Sequence, residues 1–223
     1  KKPTAVPGNF LFANAQKALA DQVASTNVNL NIFKLFAQYW TETTYTDEAN
    51  YDIINRTIPD IKYRTYYREI LADFKDGQKV IAAESVVGVD AGKEKSNKIF
   101  ITDIMMAYTY HRVLDIFGDI PYAEALDIDN ISPVYDDAFS TYKVLIESIE
   151  LAIAGLDPAY GSFGSNDLYF GGDVNMWLKF AYSLKIKMAI NLADFDANLA
   201  KTIIENSYDK AFTTDEICEI HYP

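Results

Sequence analysis

The segment IFITDIMMAYTYHRVLDIF, residues 99–117, constrains the fold more than any other part of the sequence. Its apolar residues fall on nearly every helical face: Phe100, Ile104, Ala107 and Leu114, but also Ile101, Met105, Tyr108 and Ile116. A helix that is apolar all round is packed on several sides. The rest of the chain must therefore supply other helices to cover it.

Several segments have the periodicity to do so. FLFANAQKALADQVA (10–24) and IFKLFAQYW (32–40) read as helices on either side of the break STNVN. DIKYRTYYREILADFKDGQKVIAAE (60–84) places Tyr63, Tyr67, Ile70, Phe74 and Ile81 on one stripe, with Gly77 marking a point where the helix can break. After the break VVGVDAGKEKSN and the apolar helix comes SPVYDDAFSTYKVLIESIELAIAGL (132–156). There Ser132–Pro133 reads as a helix start, with Asp136 and Asp137 in the positive first turn. Its expected seam is Tyr142, Leu145, Ile149, Ala152 and Leu156. DVNMWLKFAYSLKIKMAINLADF (173–195) opens on Asp173 as an N-cap and runs Val174, Trp177, Ala181, Leu184 and Met188 along one face. ANLAKTIIENSY (197–208) is a shorter helix. Nothing between these segments reads as a strand.

The expected fold is mainly α, one helical domain of antiparallel hairpins that pair 60–84 with 99–117 and 136–156 with 174–194. A strict tetratricopeptide register of alternating small and large residues is not found.

Composition removes several function classes. The net charge of -12 and a pI near 4.5 repel phosphate backbones and anionic lipid headgroups. The single Cys218 has no disulfide partner within the chain, and no Cys/His spacing suits zinc. No apolar run approaches the roughly 20 residues that cross a bilayer. The 16 Tyr and 13 Phe stand out instead, because tyrosine combines an apolar ring with a polar tip.

The apolar helix ends on Phe117-Gly118-Asp119-Ile120-Pro121-Tyr122. Gly118 permits a left-handed cap, Asp119 can accept from backbone N–H groups, and Pro121 forbids continuation. Gly118, Asp119 and Pro121 are all turn formers, so the corner reads as turning the chain rather than doing chemistry. Together with four segments C-terminal to it, the corner carries a resemblance. Phe117 to Tyr122, Pro133 to Tyr135, Ala152 to Leu156, Asp167 to Asp173 and Trp177 to Lys187 resemble, in that order, the motifs of the SusD/RagB-like family of Bacteroidetes outer-membrane lipoproteins. QYWTETTYTDEANYD is also similar to that family's N-terminal region. Members are longer and carry a lipid-bearing cysteine after a signal peptide. The resemblance therefore implies the N-terminal part of such a protein, with membrane contact only through an anchor absent from this chain. It also implies a surface-exposed outer-membrane location and a SusC-like TonB-dependent transporter as partner.

No catalytic constellation emerges. His111 shares a face with Ile104, Ala107 and Leu114 and reads as a satisfied core histidine; His221 reads as incidental. Asp127-Ile-Asp129-Asn130 lacks the glycine and closing glutamate of a calcium loop, and GSFGSNDLYFGG lacks the Lys-Ser/Thr of a phosphate loop. No metal or cofactor is expected. The polar stretch around residues 39–51 is the place for ligand contacts, with Tyr45 and Tyr51 as the better candidates and Trp40 the weaker. Tyr39 and Trp40 end a predicted helix and are expected to lean toward the core. The function expected is non-catalytic capture of a nutrient, an oligosaccharide or a peptide. The alternatives are a helical-repeat scaffold for a protein partner and, more remotely, a carboxylate-based glycoside hydrolase.

Overall fold

The structure, a computed structural model, describes residues 6–220. Among them there are helices and one isolated antiparallel bridge, Ile120 with Asp136, but no strand. Helix α1 (Gly8–Ala24) lies on α4 (Ala72–Ala83), α4 on α5 (Val89–Phe117), α5 on α6 (Ala138–Gly155), α6 on α7 (Val174–Leu192) and α7 on α8 (Ala197–Glu205). α5 also meets α7, so the apolar helix is covered from several sides, as its composition requires. Ile101, Ile104, Met105 and Val113 of α5 share one continuous core with Phe12, Phe74, Ile149 and Trp177.

The long segment before α4 is not a uniform α-helix. It runs as α3 (Ile58–Arg64), a π-helical turn at Thr65–Leu71, and then α4. This changes which residues are buried. In an α-helix, four residues turn about 400°, so a series at four-residue spacing drifts off one face by about 40° per step. A wider π turn reverses the drift. Ile58, Lys62, Tyr66, Ile70 and Phe74 are consequently all buried, whereas Tyr63 and Tyr67 of the expected stripe are only half-buried. Those two rings stack on each other at 4.5 Å between centroids, and Tyr63 meets Phe117 edge-on.

Gly77 does not break α4. It lies against Gly8 of α1, and a Cβ there would stand 3.1 Å from the Gly8 carbonyl oxygen and 3.1 Å from Leu11 Cβ. The propensity cost of about 1 kcal/mol for a mid-helix glycine is offset by this close helix–helix approach.

Two helix starts differ from expectation. α5 begins at Val89 rather than near residue 99, so most of the supposed break is helical. Asn97, buried in this added portion, donates to the carbonyls of Asp157 (3.0 Å) and Gly161 (3.0 Å) and accepts from Asp157 N (2.9 Å). α6 begins at Ala138, not at Ser132–Pro133, because Asp137 is its N-cap and accepts from Ser140 N at 2.8 Å. Asp173 caps α7 as expected, accepting from Asn175 N at 2.8 Å.

The corner is a braced turn. Gly118 has φ +74°, and its N–H donates to Leu114 O at 2.9 Å. Asp119 Oδ1 accepts from Ala138 N (2.9 Å), Asp136 Oδ2 from Tyr122 N (2.8 Å) and Ala123 N (3.0 Å), and Pro121 O from the Tyr67 hydroxyl (2.6 Å). Its polar groups are spent on backbone.

Candidate functional site

The segment between α1 and α3 leaves its aromatic residues outside. α2 spans only Phe33–Phe36, not the whole of 32–40. Gln38 turns to φ +58°, and the N–H groups of Tyr39 and Trp40 both fold back onto Lys34 O at 2.9 and 3.2 Å. The helix ends there, so Tyr39 and Trp40 miss the core. Tyr39 is 82% exposed and Trp40 is 43% exposed, with the Lys34 ammonium 4.3 Å from the indole centroid. The expectation that this pair leans into the core is corrected.

Tyr45 and Tyr51 also have positive φ, +59° and +61°, and are 85% and 50% exposed. Their surroundings differ. Tyr51 rests on Phe36, its ring 5.5 Å away, donates to Phe36 O (3.2 Å) and accepts from Gln38 Nε2 (2.8 Å). Tyr45 makes no side-chain hydrogen bond or ring contact among the described residues. Underneath, buried Glu48 pairs with Arg56, and Arg56 donates to Asn29 Oδ1 at 2.6 Å. Four aromatic side chains thus stand outward on a segment pinned by an ion pair.

The two ends of this segment and the end of α5 border a half-open cavity of about 260 Å³, lined by Ile32, Phe33, Phe36, Ile58, Lys62 and Phe117 among others. Periodicity gives no hint of Lys62, because the π turn carries it onto the core face. A second cavity of about 420 Å³ lies where α5, α6 and α7 meet, with Phe139 and Phe195 beside Asp115, Tyr142 and Asn191.

The other sequence candidates fall elsewhere. His111 is fully buried on α5, its Nε2 3.3 Å from Asp115 and 3.4 Å from Asn191, while its Nδ1 has no hydrogen-bond partner. It is a core histidine satisfied on one nitrogen only. Burial pulls its pKa down to about 4 against the opposing pull of Asp115. Asp127 accepts from Asp129 N at 3.0 Å in a local turn, and Cys218 is exposed. His221 lies outside the described residues. The Gly-rich loop is organised by buried Asp167. Its carboxylate accepts from Trp177 Nε1 (2.7 Å), Gly172 N (2.9 Å), Tyr169 N (3.0 Å), Phe170 N (3.2 Å) and Gln16 Nε2 (3.3 Å). That loop is scaffold.

Residues 1–216 match the SusD-like family described as starch-binding, associating with the outer membrane. The chain belongs to the SusD-like family. Among solved structures, a SusD homologue from Parabacteroides distasonis is similar at TM-score 0.76 and 19% identity, over 93% of this chain and 40% of that one. A chitin-binding protein is similar at TM-score 0.72 and 18% identity, over 93% of this chain and 44% of that one. A SusD/RagB family protein from Bacteroides thetaiotaomicron is similar at TM-score 0.70 and 22% identity, covering 94% and 43%. These likenesses show the SusD-like helical fold. The chain spans about two-fifths of the length of these relatives, at 40–44%. No curated protein matches it.

Proposed function

We propose that this SusD-like chain contributes to non-catalytic capture of a saccharide at the cell surface. Its bound ligand would pass to a SusC-like TonB-dependent transporter in the outer membrane, with a lipid anchor holding the protein there. The observation that carries the reading is the set of exposed aromatic side chains within residues 39–51: Tyr45 and Tyr51, and also Tyr39 and Trp40. Sugar rings present apolar C–H faces that pack on flat aromatic side chains, and exposed aromatic clusters on pinned loops mark interaction sites. The family's starch-binding description and the chitin-binding neighbour support a glycan as the ligand class.

Calorimetry with maltooligosaccharides and chitooligosaccharides tests this. One series should bind, and Tyr45→Ala should weaken it at an unchanged melting temperature. Binding of peptides in place of both series would favour a protein-partner scaffold. Release of reducing ends from either series would overturn the non-catalytic assignment. Co-purification with a TonB-dependent transporter checks the delivery step.

A further inference from the structure

Lys62 is 3% exposed, and burial of an ammonium in apolar surroundings without a counter-charge is strongly unfavourable. Its Nζ stands 5.0 Å from the centroid of Phe33 and 5.9 Å from that of Tyr66. Among the described residues no hydrogen bond and no carboxylate acts on it, although the chain holds 32 acidic residues against 20 basic ones. The charged group acting on it is another cation, Arg112 of α5. Arg112 does not relieve it. The guanidinium lies beside the Tyr66 and Tyr108 hydroxyls and Asp115, while its own Nε is buried without a hydrogen-bond partner. Asp115 is already engaged with the Tyr142 hydroxyl, Asn191 and His111. Burial, and then Arg112, lower the Lys62 pKa to about 8, which leaves the ammonium predominantly charged at neutral pH.

This cation lines the cavity of about 260 Å³ between α2, the start of α3 and the end of α5. The other lining residues, among them Ile32, Phe33, Phe36, Ile58 and Phe117, are all apolar. The volume lies just under the roughly 300–1,000 Å³ of drug-sized ligand pockets, so it suits one ring or one branched group. A sugar ring would bring several hydroxyls to walls whose residues, Lys62 apart, are apolar, and each hydroxyl left unpaired costs free energy. An apolar body carrying one carboxylate would bury its body against the phenylalanines and set its charge on the unpartnered ammonium.

We infer that this cavity is a carboxylate-binding site for an apolar acid, with Lys62 as the residue that receives the charge. The site goes beyond saccharide capture and does not depend on it, since the outward rings and this cavity use different side chains. A free aromatic acid and the C-terminal phenylalanine of a peptide share the required chemistry.

The test uses 3-phenylpropionate, its neutral amide, and acetyl-Gly-Phe with a free carboxylate, each titrated into the chain at pH 7. A charge-assisted contact predicts that the acid binds about ten-fold or more tightly than the amide. Its affinity should fall as pH rises through about 8, where Lys62 loses its proton. Lys62→Met should erase both the preference for acid and the pH dependence. Equal affinity of acetyl-Gly-Phe would point to a chain terminus as the source, and binding of phenylpropionate alone to a free acid. Equal binding of acid and amide by the unmutated chain, or binding of neither, would overturn the site whether or not the variant folds.

Discussion

Two loops of this molecule look alike in sequence, since both are polar and aromatic, and they fold in opposite senses. In the Gly-rich loop between α6 and α7, Tyr169 and Phe170 pack inward on Trp177 and Phe180. Between α1 and α3, Tyr39 and Tyr45 point into solvent. The difference lies in what each loop's buried carboxylate reaches. Asp167 sits inside and gathers donors from three separate parts of the fold, α1, its own loop and α7, which draws the rings down onto the core. Glu48 sits inside too, but it pairs with Arg56 of its own segment rather than with a group on a helix. In this chain the aromatic residues of a polar loop turn inward where the neighbouring acid reaches other helices and outward where it reaches only its own segment.

The contrast between the two loops meets its strongest test at Asp167. Asp167→Ala leaves several buried donors without an acceptor, each worth about 1–3 kcal/mol, so stability should drop by roughly 3 kcal/mol or more in denaturant titration. A loss under about 1 kcal/mol would mean that the carboxylate does not organise the loop.

Acid should act next, and on the core that both loops share. His111 has a folded pKa of about 4 against the ordinary value of 6.5, so the unfolded chain takes the proton more readily. Its contribution is complete above pH 6.5 and is lost as pH falls toward 4, by up to about 3 kcal/mol at ~1.4 kcal/mol per unit. His111→Gln should flatten that part of the pH–stability profile. An unchanged slope would show that the ring is protonated in the folded state.

The outward rings should separate by smaller amounts. Tyr51→Ala removes the contact with Phe36 and two hydrogen bonds and should cost about 1 kcal/mol, whereas Tyr45→Ala should stay within about 0.5 kcal/mol. Similar melting losses in both variants would mean that Tyr45 packs as Tyr51 does.

The smallest signal needs no variant. The chain has two tryptophans, one beside each loop: Trp177 is fully buried and Trp40 is partly exposed. Acrylamide should quench one component of the emission and spare the other. Uniform quenching would contradict the opposite orientations of the two regions.

Where a structural signal is local, it can be read from the sequence. The helices around Phe12, Leu145 and Trp177, the cap at Asp173 and the turn at Gly118–Pro121 all depend on residues within a few positions of one another. Tyr45 and Tyr51 are legible as outward rings for the same reason, since their polar neighbours offer no apolar face to join. Trp40 is not, because periodicity extends a helix until something stops it, and here a left-handed Gln38 stops it. Gly77 reads as a weak point in the sequence because its partner, Gly8, lies on another helix.

Lys62 shows the limit most sharply. Hydrophobic spacing puts Tyr63 and Tyr67 on the core face and leaves the lysine outside. The tertiary structure turns the helix by inserting one wide π turn and buries an ammonium against Phe33. Apolar pattern, capping chemistry and turn residues belong to the sequence because their energies are set by near neighbours. The phase of a helix against its partners, and hence which single charge ends inside a cavity, is decided only when distant surfaces are packed together.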